Sequence, residues 1–250
     1  MSLQFGNAAA VTAQRITSTS TISTPSNWDL STYAITMSIW FYSNRTAGRE
    51  PLMCMNIDDN TLGAQYQYGL TILSNATAAS RRVEAAHNDG TTGVSRAQAG
   101  VGVGWQTNTW THACGVFPIG AGSRTAYLNA NNSATNSTAK AGSNFTDPTF
   151  FVNSGESIAL ALYGHDGSGQ VVRLAEAAAW KTALTTDEIV ALSKGVKPKL
   201  IRPTDLVFYM PLVRATGSSI SDETGINPGT ATNFGTNYTP TTADHLRRYG

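Results

Sequence analysis

Between Ile35 and Tyr42 the chain alternates. Ile35, Met37, Ile39 and Phe41 fall on one side, and Thr36, Ser38, Trp40 and Tyr42 on the other, which is the two-residue period of a strand with one face in a core. Runs of similar length rich in β-forming residues recur at QYQYGLTIL from Gln65, RRVEAAH from Arg81, SIALALY from Ser157 and LVFYMPL from Leu206. Polar, glycine-bearing stretches separate them: NDGTTG, GAGS, DGSG and NPGT. Asp89-Gly90 tolerates the positive φ of a tight hairpin, so a turn is expected there. Short strands at this regular spacing predict an all-β fold, two antiparallel sheets packed as a jelly-roll sandwich.

One segment breaks the β pattern. LTTDEIVALSKG (184–195) predicts a short helix, with Thr185 and Glu188 as a capping box, Ile189 and Leu192 as its apolar stripe and Gly195 at its C-terminal end. KGVKPKLIRPTD follows and can serve as a linker, but the strongly apolar LVFYMPL after it is expected to return to the sandwich. The domain therefore extends over 1–214. From Ala215 to Gly250 the chain is polar and turn-rich and is expected to wrap the surface or reach a neighbour as an extended C-terminal arm, with Phe234, Tyr238, His245, Arg247, Arg248 and Tyr249 as its contact residues.

Composition narrows the function. Only 13% of the 250 residues are charged and the net charge is +1, about half the usual charged fraction. There is no basic stripe of the kind phosphate backbones require, so nucleic acid is not an expected partner. No apolar run approaches the length of a bilayer span, and MSLQFGNAAA has neither the cationic start nor the apolar run of a secretory signal, so synthesis in a cytosol is expected. Cys54 and Cys114 are then expected as buried thiols rather than a disulfide.

WTHACGVF places Trp110, His112, Cys114 and Val116 on one face of a strand. A Cys-His nucleophile needs a cleft and a third, orienting group. Packing between the two layers of sheet is the expected role of Trp110, His112 and Cys114. Glycoside hydrolysis needs two carboxyl groups across the sugar, and Glu84 and Asp89 are too far apart along the chain, with Asp89 in a turn. No enzymatic activity is expected. Asp58, Asp59 and Asn60 are the best candidate oxygens for a calcium ion, against the simpler reading of a solvated loop tip. No other cofactor is expected. AGVGVGW lacks the lysine and the helix of a phosphate-binding loop.

LAEAAAWKTALTTDEIVALSKG resembles the closing strand and helix of the concanavalin A-like, laminin G-like jelly rolls, with Trp180, Lys181-Thr182, Ala183-Leu184 and Thr185 on the family's pattern. ITMSIWFYS is similar to the family's first long strand, with Trp40 at its tryptophan, and WTHACGVF…RTAYLNA to its central hairpin. The matched motifs run from about Leu3 to Leu212. Where the family often has two acids near the start of the closing strand, only Glu176 remains, which argues against a calcium site resting there. RPTDLVFYMPLVRATGSSISDETG resembles a segment that usually begins such a domain, so its place after the helix looks like a circular permutation. That order resembles proteins encoded by bacteriophages and prophages.

The resemblance implies a non-enzymatic virion structural protein, a capsid decoration or cement protein or another virion-surface part, oligomeric and bound to other virion proteins. The alternative is a carbohydrate-binding adhesin, and a hydrolase ranks last. With Trp40, Trp110 and Trp180 assigned to the framework, Trp28 with Asp29 and Trp105 with Gln106 remain as candidate sugar contacts, against edge packing or a subunit interface.

Overall fold

The computed structural model describes residues 3–5, 15–18, 30, 32–57, 66–88, 94–100, 102, 104–119, 124–130, 158–161, 172–212, 219–220, 222–225 and 229–232. The strands are β1 (Leu3–Phe5), β2 (Arg15–Ser18), β3 (Ile35–Ser43), β4 (Gly48–Ile57), β5 (Tyr66–Ser74), β6 (Arg82–Asn88), β7 (Val94–Ala99), β8 (Thr111–Phe117), β9 (Thr125–Ala130), β10 (Ile158–Ala161), β11 (Val172–Trp180), β12 (Leu206–Met210), β13 (Ser219–Ile220) and β14 (Gly229–Thr232); the helix α1 is Thr186–Ser193. They form two antiparallel sheets. The first runs β1-β11-β3-β8-β9 with β12 also on β11, and the second runs β13-β14-β2-β10-β4-β5-β6-β7. This is the concanavalin A-like jelly-roll sandwich. The expected turn at Asp89-Gly90 lies outside the described residues, although the strands it would join, β6 and β7, pair as expected of a hairpin.

β1 and β12 lie end to end along one edge of β11. β1 pairs with Val172–Leu174 and β12 with Ala177–Trp180. Between them the register of β11 against β3 slips, and Glu176 takes φ +52° there, a costly conformation for a residue with a Cβ. The Glu176 N–H leaves the ladder and donates to Pro211 O at 3.3 Å.

The apolar half of each alternation meets between the sheets. Ile35, Met37, Ile39 and Phe41 are fully buried against Leu70, Ile72, Val83, Ala85, Ala113, Phe117 and Leu174. Each large side chain contributes about 1.5–3 kcal/mol by leaving water. The sheets interdigitate closely: a Cβ on Gly115 would meet Leu70 Cδ2 at 2.8 Å and Ala85 Cβ at 3.1 Å.

The other face of the first sheet is buried too. Here one expectation is corrected. His112 and Cys114 are fully buried, but not between the two sheets, because Ala113 and Phe117 take that side of β8. His112 and Cys114 point to the back of the first sheet. Cys114 packs with Ala178, Trp180 and Tyr209 beneath Leu184, Ile189 and Leu192 of α1 and its approach, while Trp110 is only half-buried. The helix is fixed at both ends. Thr185 and Glu188 form the capping box, and Lys194 closes the helix with Gly195 at φ +88°. Gly195 N–H donates to Leu192 O and Val196 N–H to Ala191 O, the paired bonds of a Schellman end.

Residues 194–205 are bound to this layer: Trp180 Nε1 donates to Ile201 O at 2.7 Å and Lys181 N–H to Asp205 O at 2.9 Å. Two strands of the segment expected as an arm belong to the second sheet, where β14 pairs with β2 and β13 with β14. Asp222 also ties it to β12, accepting from Tyr209 N–H at 2.9 Å.

Candidate functional site

Trp105 is not a surface residue, which corrects the expectation that it stacks on a sugar. It is fully buried between the sheets, edge-on to Phe41 at 5.4 Å, with the Arg81 guanidinium 5.2 Å above its ring. The glycines before it are the cause. Gly104 has φ +67°, and a Cβ there would sit 1.7 Å from Ala78 O. That approach brings the chain against the 78–81 turn, where Arg81 Nη1 donates to Trp105 O at 3.2 Å. Gln106 stays exposed. Trp28, Asp29, Asp58, Asp59, Asn60, Phe234, Tyr238, His245, Arg247, Arg248 and Tyr249 lie outside the described residues. Among the described residues no group of three or more His, Cys, Asp or Glu could hold a metal ion, and no helix is long and apolar enough to cross a membrane.

The back of the first sheet gathers several reactive side chains. Ser38 Oγ and His112 Nε2 are 2.8 Å apart, the Trp40 ring lies 5.5 Å from the imidazole, and Tyr209 donates its hydroxyl to Glu176 Oε2 at 2.6 Å. Ser38, Trp40 and Glu176 line a pocket with Leu192, Gly195, Val196 and Pro198, whose volume of 10 Å³ suits about one water molecule. Burial pushes the thiols of Cys54 and Cys114 far up and raises the Glu176 carboxyl, against the opposing pull of its Tyr209 hydrogen bond. A thiol held protonated is no nucleophile, and a pocket of this size admits no saccharide. The polar groups here join the layers.

The outward face of the second sheet is different. Leu70, Ile72, Val83, Ala85, Ala97 and Ala99 turn to the core, so Thr71, Glu84, Arg96 and Gln98 turn outward. Register aligns Pro51, Thr71, Glu84 and Gln98 in one cross-strand row. Glu84 is fully buried at its centre. Arg49 Nε donates to its Oε2 at 3.0 Å and Arg49 Nη2 to Oε1 at 3.5 Å. Thr71 Oγ1 donates to Oε2 at 3.2 Å, Gln98 Nε2 to Oε1 at 2.7 Å, and Arg96 Nε stands 3.5 Å from Oε2. A buried carboxylate is retained only with such partners. In return it fixes two guanidiniums and an amide at the surface, with the Arg49 side chain 47% exposed and that of Arg96 23%.

In the sequence Glu84 stands out only as half of a failed acid pair with Asp89. Its partners lie 35 and 13 residues before it and 12 and 14 residues after it, on three other strands. Only the register brings them together.

The comparisons agree with the architecture. No curated protein matches the chain. A candidate carbohydrate binding protein from Bacteroides ovatus superposes with a TM-score of 0.54 at 18% identity, over 93% of this chain and 58% of that one. The native heptameric SAP-like pentraxin of Limulus polyphemus superposes with a TM-score of 0.53 at 12% identity, over 79% and 83%. The enzymatically active domain of tailspike protein 2 from bacteriophage CBA120 gives 0.50 at 14% identity, over 79% of this chain and 28% of that one. At these identities the likenesses concern the fold. Residues 16–190 match the Laminin_G_3 family model, and with most of the sandwich inside that match the chain belongs to this family of the concanavalin A-like lectin/glucanases superfamily.

Proposed function

We propose that the chain is a non-enzymatic carbohydrate-binding module that takes a saccharide across the outward face of the second sheet, at Arg49, Arg96 and Gln98. The observation that carries this reading is the buried Glu84 holding those three side chains in place. A sugar hydroxyl both donates and accepts. The guanidiniums supply fixed donors. Gln98 spends its amide N–H on Glu84, which leaves its carbonyl oxygen as an acceptor. Arranging these groups before the ligand arrives reduces the entropy lost on binding. The name of the Bacteroides neighbour supports the same class of ligand. Glu84 is the sole carboxylate in this cluster, and its oxygens are occupied by four side chains, which supports binding without hydrolysis.

The test is retention of the full chain on a glycan array, with Arg96→Ala and Gln98→Ala beside it. Selective retention, weakened about tenfold by either change, supports the site. Retention unaffected by both changes overturns the site. A protein that retains no glycan overturns the function.

For its setting we propose a virion surface, as a capsid decoration or tail-associated protein in several copies. Thr232 of β14 pairs with Arg15 of β2, and the polar segment 233–250, with Phe234, Tyr238 and Tyr249 in it, follows in the sequence and suits contact with a neighbour. The phage tailspike neighbour supports the same setting. Deleting 233–250 is expected to leave a folded domain that no longer joins its particle. Normal incorporation of that truncation would overturn the arm's role.

A further inference from the structure

We propose a second saccharide site on the opposite side of the sandwich, at the open end of the back of the first sheet. There Trp110 stacks on the ring of a neutral, gluco-configured pyranose, and Asn108 and Tyr42 take its rim hydroxyls. The site shares no residue with the outward face of the second sheet. α1 and its approach cover only part of the back of the first sheet. Cys114 and Trp180 are fully buried beneath Leu184, Ile189 and Leu192, and Leu192, Gly195, Val196 and Pro198 meet Ser38 and Trp40 at the pocket beside Glu176. Two residues further along β3, and just before β8, that cover ends. Trp40 is 6% exposed, whereas Tyr42 and Trp110 are half-buried and Asn108 is exposed.

The aromatic rings continue across this boundary. Trp40 lies 5.5 Å from His112, and the Tyr42 ring 5.9 Å from that of Trp110 at an angle of 55°. Register sets Tyr42 beside Arg173 of β11, whose guanidinium stands 4.9 Å from the centre of the Tyr42 ring. One face of Tyr42 is thereby occupied, so Tyr42 braces Trp110 and offers its hydroxyl at the edge. That hydroxyl donates to Asn108 Oδ1 at 3.2 Å. Asn108 is also fixed through its backbone: its N–H donates to Ser43 O at 2.8 Å, and its φ is +59°, a conformation that asparagine tolerates better than most side chains. With its oxygen committed to Tyr42, Asn108 keeps its amide N–H groups as donors, and the Tyr42 oxygen keeps its lone pairs as acceptors. A gluco-configured pyranose has the matching form. Its hydroxyls lie near the ring plane and leave both faces to C–H bonds, so an indole takes a face while a donor and an acceptor beside it take the rim.

The experiment titrates the full chain with cello-, laminari- and chito-oligosaccharides, with the furanose polymer inulin as control, and follows the indole N–H resonance of Trp110, assigned by its loss in Trp110→Phe. The expected result is a shift with at least one of the pyranose chains and none with inulin. Its midpoint should stay within about twofold from about 50 to about 500 mM NaCl, because the contact carries no net charge. Calorimetry with Trp110→Ala should find that sugar bound about tenfold more weakly, and Trp110→Phe should fall between. Asn108→Gly suits the backbone at φ +59°, so it should keep the melting temperature while the midpoint weakens about fivefold; it decides the matter if Trp110→Ala fails to fold. Arg96→Ala should leave the Trp110 midpoint unchanged. A Trp110 resonance unmoved by every pyranose, or a midpoint indifferent to Asn108→Gly, overturns this site, and glycan retention that still depends on Arg96 leaves the second-sheet site standing. An equal shift with inulin overturns the pyranose class. Loss of the Trp110 shift in Arg96→Ala overturns the independence of the two sites.

Discussion

Replacing Glu84 by Gln tests the keystone of the outward face directly. The change keeps the side chain's volume and removes its charge. In the native protein the carboxylate is fully buried and receives the Arg49 fork, the Thr71 hydroxyl and the Gln98 amide, with Arg96 at 3.5 Å. An amide in its place turns two donors toward groups that are themselves donors, so in either orientation at least one guanidinium contact is lost. Breaking a fully buried ion pair costs about 3–5 kcal/mol. The Arg49 side chain is 47% exposed and regains water when released, so the expected cost is lower, about 2–4 kcal/mol. At about 2–4 °C per kcal/mol for a domain of this size, the melting temperature should fall by roughly 4–16 °C. Urea denaturation with equal m-values in the two proteins gives the free energy, and calorimetry gives the melting temperature. The loss should be nearly independent of salt, because a buried pair is poorly screened. The surface pair Arg202–Glu188, at 2.6 Å with both side chains partly exposed, provides the contrast in the same molecule. A Glu84→Gln cost below about 1 kcal/mol would refute the reasoning and reduce the cluster to a solvated ion pair.

Thr185→Ala removes the hydroxyl that accepts from Glu188 N–H at 3.3 Å and should cost about 1 kcal/mol in urea; an unchanged midpoint would mean that the apolar contacts of α1 alone hold it. Burial raises the Glu176 carboxyl, so the folded state holds its proton to higher pH than the unfolded chain does. The penalty for ionising it therefore starts near the ordinary glutamate value, about 4.3, and grows as pH rises through the folded value. Glu176→Gln keeps an oxygen for the Tyr209 hydroxyl, and its stability relative to the unmodified protein should improve from about pH 4 to about pH 7; a constant difference across that range would contradict the burial argument. Cys54 and Cys114 should react with a thiol reagent only at the rate of unfolding, since both are fully buried and burial pushes their thiols far up; rapid modification of either in the folded protein would show a groove where close packing stands.

Local signals were legible in the sequence and long-range ones were not. The capping box needs four consecutive residues, and it formed as read at Thr185 and Glu188. The alternation of β3 named the right residues for the core. It did not say what covers the opposite face. Thr36 and Ser38 occupy the polar phase of that pattern, yet they are almost fully buried. The Thr36 hydroxyl donates to Thr182 O and accepts from Leu184 N–H, and Ser38 meets His112. Polar phase in a strand marks the side away from the inter-sheet core, and solvent lies on that side only when no helix does. The alanines of β11 carried the missing hint. Ala177 and Ala179 pack between the sheets while Ala178 lies under the helix layer, so a run without alternation marked a strand covered on both faces.

The candidate site was hidden for a related reason. A strand's own sequence fixes which side each residue takes but leaves its offset from the neighbouring strands open, and sliding β5 or β7 by two residues past β6 would preserve every inward side chain while separating Glu84 from Thr71 or Gln98. What resists the slide is partly Glu84 itself. A shifted register would leave a buried carboxylate without its donors, at a cost of several kcal/mol. The cluster thus has two effects with one physical origin: it sets the offset of strands β5 to β7 at one end of the second sheet, and it holds two arginines and a glutamine on the sheet's outward face.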